Sequence, residues 1–197
     1  NVVNGTVVGT VLATDADGDQ LTFSITGGNT NGAFAINSTT GQITVANSAA
    51  LNFETNPSIP LTVQVSDGSA TDTATVTVNL TNVNEAPILN NQTFTVDPGA
   101  ANGTVVGTVQ ARDPEGDDLT FLITAGNTAG AFAINLDTGV ITVVNSGVLQ
   151  GQSTFSLTLQ ASDGSLPDTA AVTINVGANA RPVVNDQTFT VTENAVN

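Results

Sequence analysis

The groups able to do chemistry in this 197-residue chain are almost all oxygens. The chain has 17 Asp and Glu against 2 basic residues, and no His, Cys, Tyr or Trp. Lys is absent as well, the two bases being Arg112 and Arg181. Most general bases and covalent nucleophiles are therefore missing, which points away from an enzyme. A carboxylate pair would suit glycoside hydrolysis, but no Trp or Tyr is present to form a sugar platform. Without His and Cys, zinc and copper are poor candidates. The net charge of −15 excludes nucleic acid and anionic membranes as natural partners. What remains is the chemistry of hard cations. The acids fall in short clusters such as "DADGD" (Asp15–Asp19), "NVNEAP" (Asn82–Pro87) and "RDPEGDD" (Arg112–Asp118), and clustered carboxylates suit an oxygen-seeking metal.

The elements that must position these clusters repeat. "VNGTVVGTV" (Val3–Val11) returns as "ANGTVVGTV" (Ala101–Val109), 98 residues on, and "GAFAIN" recurs from Gly32 to Gly130. Pro87 returns as Pro182, 95 residues on. A period near 96 residues is the size of one small sandwich domain. In the second repeat the apolar residues alternate within short runs at 93–96, 104–111, 119–123, 131–134, 140–144, 154–161 and 169–176. These are rich in Val, Ile, Thr and Phe and bounded by Gly, Asn and Asp, which predicts seven antiparallel strands. The predicted core is Val106, Val109, Leu119, Phe121, Phe132, Ile134, Ile141, Leu157, Leu159, Val172 and Ile174, with Phe23 and Phe34 in the first repeat. No run has a helical period, nor does any apolar run approach the ~20 residues of a membrane span. The expected fold is all-β: tandem seven-stranded Greek-key, immunoglobulin-like sandwiches joined end to end. The expected boundaries are repeat 1 at 1–86 with its first strand missing, repeat 2 at 87–181, and at 182–197 the first strand of a following repeat or a donor strand.

The combination "ATDADGDQLTFSI … FAINSTTGQITV … LNFE … LTVQVSDG … VTVNLTNVNEAP" resembles the cadherin repeat, in its bacterial cadherin-like form, over essentially the whole chain. The resemblance implies calcium ions at the junction between repeats, held by the base of one domain, the linker and the top of the next. Residue by residue it implies Glu54 in "LNFE", with Asn52 where an aspartate is usual. In the linker it implies Asn82, Asn84 and Glu85. From the following domain come Asp113, Glu115 and Asp117 of "ARDPEGDD", and Asp163 of "ASDG". Near residue 180 the matching positions are Gln152, Gly177 and Ala180, beside Arg181, so that junction is expected to bind calcium weakly or not at all. Glu193 matches a first-strand glutamate of the family, where the second repeat has Pro98.

Other acids have plainer readings. "DADGD" is not an EF-hand, because its twelfth position is Thr26 and strands flank it. It is either an acidic turn or a half-site that Asp67 would join. Asp137 belongs to a Gly turn, and Asp72 and Asp168 are expected to be solvated edge acids. The ends carry two open readings. One is a cut through a long tandem array. The other is strand donation from 186–197 into the first domain of a neighbouring copy, which would build a head-to-tail filament. The expected function is a non-enzymatic extracellular structural module, a calcium-stiffened repeat of a bacterial surface adhesin or filament. A carbohydrate-binding sandwich is the rival. Neighbouring repeats or copies are the expected partners, with no nucleic acid and no membrane insertion.

Overall fold

A computed structural model of the protein describes residues 2–177. The chain divides into two compact units, with the boundary between Glu85 and Ala86. The segment 182–197, expected to be a spare strand, lies outside the described residues.

Unit 1 contains β1 (Val7–Thr10), β2 (Thr22–Gly27), β3 (Phe34–Ile36), β4 (Gln42–Val45), β5 (Ser58–Ser66) and β6 (Thr71–Asn79). They form two three-stranded sheets, ordered β1-β4-β3 and β2-β5-β6, with every pairing antiparallel. Period-2 alternation explains how the sheets face each other. Along β5, Ile59, Leu61 and Val63 are buried and meet Phe34, Ile43 and Val45 of the other sheet in one core.

Unit 2 contains β7 (Ile88–Leu89), β8 (Gln92–Val96), β9 (Val105–Thr108), β10 (Ala111–Arg112), β11 (Thr120–Ala125), β12 (Phe132–Ile134), β13 (Val140–Val143), β14 (Thr154–Ser162) and β15 (Pro167–Val176). One sheet runs β12-β13-β9 and the other β11-β14-β15-β8, while β7 pairs with β10 as a short ribbon. Phe155, Leu157, Leu159 and Ala161 all face inward from β14. Phe132 and Phe155 meet edge to face with ring centroids 5.0 Å apart, a geometry worth roughly 1 kcal/mol beyond simple burial. Of the predicted core, Val109, Phe121, Phe132, Ile141, Leu157, Leu159, Val172 and Ile174 are buried. Val106, Leu119 and Ile134 are partly buried against them.

Two details depart from the sequence reading. The strand expected over 104–111 breaks after Thr108, because a side chain replaces its strand partner. The Gln110 N–H donates to Gln92 Oε1 at 2.9 Å, and Gln92 Nε2 donates back to the Gln110 carbonyl at 2.8 Å. Asp168, expected to be a solvated edge acid, is half-buried. Its Oδ2 accepts the Leu89 N–H at 2.8 Å and its Oδ1 the Thr169 N–H at 2.8 Å. It therefore fastens β7 to the start of β15. Asp72, at the same place on β6, is exposed and among the described residues accepts the Thr73 N–H alone.

The connections between strands, both across the two sheets and within one, are closed by side-chain oxygens. Asn127 clamps Phe132 by donating Nδ2 to its carbonyl (2.7 Å) and accepting its N–H (3.1 Å), and Asn29 does the same for Phe34. Between β5 and β6, Asp67 Oδ1 accepts the N–H groups of Ser69 (2.6 Å) and Ala70 (2.7 Å). The Ala70 and Ser69 donors favour the ionised form and hold this carboxyl below its usual pKa.

Two outcomes are expected. Asp168→Ala leaves two backbone N–H groups short of an acceptor and should destabilise unit 2 by about 1–3 kcal/mol. Asp72→Ala should cost unit 1 well under that; equal losses in chemical denaturation would contradict this assignment. The depressed pKa of Asp67 stabilises unit 1 above its unfolded value of about 4, and that stabilisation is lost as pH falls through the folded value. Asp67→Asn should therefore flatten the acid limb of unit 1's Tm–pH profile below about pH 4, and an unchanged limb would exclude the role.

Candidate metal centre

In unit 1 the predicted ligands are Glu54, Asn82, Asn84 and Glu85. Glu54 lies in the turn Phe53–Thr55 that leads into β5. That turn is built by Asn52, whose Oδ1 accepts the Thr55 N–H at 2.8 Å and the Thr55 hydroxyl at 2.6 Å. Leu51, just before it, packs on the core. The residue that departs from the family's aspartate is thus a turn former here, and its shape survives the loss of charge. After β6, the Leu80 N–H donates to the Pro57 carbonyl at 2.9 Å, so the chain leaves the sheet beside the Glu54 turn. Four residues on, Asn84 donates Nδ2 to the Glu85 carbonyl at 3.4 Å, and Asn82 is exposed. Glu54 and Glu85 each bring one carboxylate oxygen within 4.8 Å of the other's. Two like charges that close repel unless a cation stands between them.

In unit 2 the predicted ligands are Asp113, Glu115, Asp117 and Asp163. The first three occupy the loop between β10 and β11. Asp113 Oδ1 folds that loop, accepting the N–H of Glu115 at 2.9 Å and of Asp117 at 3.3 Å. Gly116 turns at φ 82, a left-handed value that glycine adopts without strain. The second oxygen, Oδ2, is buried and has no hydrogen-bond partner among the described residues. An ionised oxygen withdrawn from water without a donor is costly, and a hard cation would satisfy it. Glu115 is half-buried, whereas the Asp117 side chain is exposed. Asp163 closes the β14–β15 turn, its Oδ1 accepting the Ser165 and Leu166 N–H groups at 2.6 Å each. The pairing of Thr120 with Ser162 sets this turn beside the end of the 113–118 loop.

Unit 1 repeats that arrangement. Asp15 Oδ1 accepts the Asp17 and Asp19 N–H groups at 2.8 and 3.1 Å, and Asp15 and Asp67 line one cleft of about 420 Å³. The matching positions of the other expected junction are only partly visible. Gln152 is exposed and the Gly177 N–H bonds to the Val96 carbonyl, while Ala180, Arg181 and Glu193 lie outside the described residues. The donor chemistry in each unit is all oxygen. It fits calcium, which takes 6–8 oxygens from carboxylates, amides and carbonyls, and does not fit a nitrogen- or sulfur-seeking metal.

A model of the cadherin domain matches residues 1–81 and 92–177. The Protocadherin-like wing polarity protein stan of Drosophila melanogaster is 37% identical over 190 residues, covering 87% of this chain and 5% of that protein. Human Protocadherin Fat 1 is 33% identical over 189 residues, covering 89% of this chain and 4% of its own length. The chain thus spans about a twentieth of these relatives. The crystal structure of mouse Cadherin-23 EC22-24 is similar with a TM-score of 0.65 at 27% identity, over 90% of this chain and 60% of that one. Human Protocadherin-24 EC1-2 shares the fold at a TM-score of 0.61 and 24% identity, over 84% and 87%. These relatives are animal proteins, so the bacterial form expected from the sequence gains no support from them. The matched residues take in both repeats, and the chain belongs to the cadherin domain family.

Proposed function

We propose that this chain is a non-enzymatic extracellular structural module whose tandem repeats are stiffened by calcium. The observation that carries the reading is Asp113 Oδ2, an ionisable oxygen buried without a donor in a loop already folded by its partner oxygen. The oxygens that would hold the ion are those of Glu54, Asn82, Asn84 and Glu85 from the first repeat, with Asp113, Glu115, Asp117 and Asp163 from the second. No single loop here carries 6–8 suitable oxygens, so sharing between repeats is the economical solution. A bound divalent ion would supply the positive charge that lets these carboxylates stand together. Stripped of it, they would repel, and the linked repeats would move more freely. Asp113 and Asp163 meanwhile keep their loops in shape through backbone N–H groups, with or without metal.

The setting we propose is a cell-surface adhesin or an extracellular filament, on grounds of the family and the tandem repeat. The Thr-, Asn- and Val-rich, Lys-free composition favours a bacterial surface. Neighbouring repeats would stack head to tail, and separate copies would join by strand donation. No described helix is long and apolar enough to cross a membrane. The carbohydrate-binding alternative lacks a platform: Trp and Tyr are absent, and Phe23, Phe34, Phe121 and Phe132 are buried in the two cores.

Calcium that binds only the folded protein should raise Tm by mass action, by about 2.7 kcal/mol of stability at a hundredfold excess over Kd. Glu85→Ala and Asp113→Ala should remove most of that rise, and Gln152→Ala should leave it. Chelator should broaden the distribution of lengths seen by small-angle scattering. A midpoint indifferent to millimolar calcium would overturn the proposal.

A further inference from the structure

The asparagines that hold the turns of this fold do so with different atoms. Asn29, Asn47, Asn127 and Asn145 donate Nδ2 to the carbonyls of Phe34, Asn31, Phe132 and Ala129. Asn4, Asn37, Asn79, Asn91 and Asn102 use Oδ1 instead. They accept, in that order, from the Ser48 N–H, the Thr39 and Thr40 N–H groups, the Ser58 hydroxyl, the Ala171 N–H and the Ser146 N–H. All five are exposed, and among the described residues none of them donates through Nδ2. The division coincides with a sequence pattern. Each of the five opens Asn-x-Thr with x other than Pro, and none of the four Nδ2 donors does. That triplet is the acceptor for N-linked glycosylation. The hydroxyls it supplies, on Thr6, Thr39, Thr81, Thr93 and Thr104, make no hydrogen bond among the described residues. The fold thus leaves idle both groups that glycan transfer requires.

Two of the five sites occupy the same turn in both units. The N–H groups of Gly5 and Gly103, at φ 89 and 88, bond to the Val45 and Val143 carbonyls at 2.7 Å each. The preceding asparagine is therefore presented on a fixed turn just before β1 or β9. Three residues beyond it stands an exposed apolar side chain, Val7 at 55% or Val105 at 60%. We propose that Asn102 and its counterpart Asn4 carry N-linked glycans. The donor is a lipid-linked oligosaccharyl pyrophosphate, acted on by a membrane oligosaccharyltransferase. Nδ2 bonds to C1 of the first sugar and loses one proton. The C1–O bond to the pyrophosphate breaks, and the lipid pyrophosphate leaves with its electron pair. The product is still an amide, so Oδ1 keeps the Ser146 or Ser48 N–H and the turn is undisturbed. A bulky, solubilising glycan there covers the neighbouring valine.

This inference rests on the extracellular reading, since only an exported chain meets the transferase, but it uses no metal. The 197-residue chain is expressed behind a cleavable export leader in mammalian cells, and secreted and retained protein are both collected. Peptide N-glycosidase in heavy-oxygen water turns each glycan-bearing asparagine into labelled aspartate, read by peptide mass. Label should appear at Asn4 and Asn102. Thr104→Ala should abolish it at Asn102 alone, and Thr6→Ala at Asn4 alone. Ala49→Thr makes an acceptor triplet of Asn47, whose Nδ2 the fold does use. A glycan at Asn47 should lower Tm relative to the same variant made without glycan, whereas glycans at Asn4 and Asn102 should leave Tm unchanged. An unlabelled Asn102 overturns the proposal, and so does a Tm loss from its glycan as large as that at Asn47. A chain without glycans whose Tm still rises with calcium sinks this inference alone. A glycosylated chain indifferent to calcium sinks the metal reading alone.

Discussion

A carboxylate has two oxygens, and in this protein they do different work. At Asp15, Asp67, Asp113 and Asp163 one oxygen accepts two backbone N–H groups and so folds its own loop. That arrangement fixes the direction of the second oxygen before any ligand arrives. For Asp113 the second oxygen points into a buried position without a donor. A loop preorganised in this way would bind a cation without first ordering the chain, which lowers the entropic cost of binding. The strands of the sandwich hold these loops at their ends.

The sandwich in turn depends on closing the seam between its sheets. Unit 2 does this with a broken first strand, β7 on one side and β8 on the other, switching at Asn90 and Asn91. The switch is held by amide and carboxylate groups as well as by the buried Leu89 and Val96: Gln92 bonds to Gln110, Asn91 to Ala171 and Asp168 to Leu89. Polar clamps of this kind set a unique register where a Thr-rich edge alone would slip. Unit 1 carries Asp72 where unit 2 has Asp168, and its Val11, Ala74 and Val76 are less buried than Val109, Ala170 and Val172 of unit 2.

Much of this was legible in the sequence. Alternation in "TFSLTLQA" placed Leu157 and Leu159 inside, and the repeated "GAFAIN" marked β3 and β12, because period-2 burial leaves a direct trace in residue type. Asp168 was not legible, since an acid in a Thr-rich edge looks the same whether it meets water or an N–H from a residue 79 positions away. Leu149, fully buried beneath a single helical turn, gave no periodic signal because it lies outside any strand. The break after Thr108 depends on one glutamine side chain from another strand, and local pattern contains no information about that. At the candidate centre the carboxylates were legible as a cluster. Which oxygen folds the loop and which is left for a cation required coordinates.

The charge of the chain bears on the proposed metal centre. A net −15 makes it costly to bring acidic loops together, since like charges within a screening length of about 10 Å at 0.1 M salt still repel. Within each loop the backbone answers part of that cost, Asp113 and Asp163 each accepting two N–H groups on one oxygen. A divalent cation would add what the backbone cannot, a concentrated positive charge shared among several carboxylates. Monovalent salt screens the repulsion but supplies no such shared centre, so the two would act differently on the same acids.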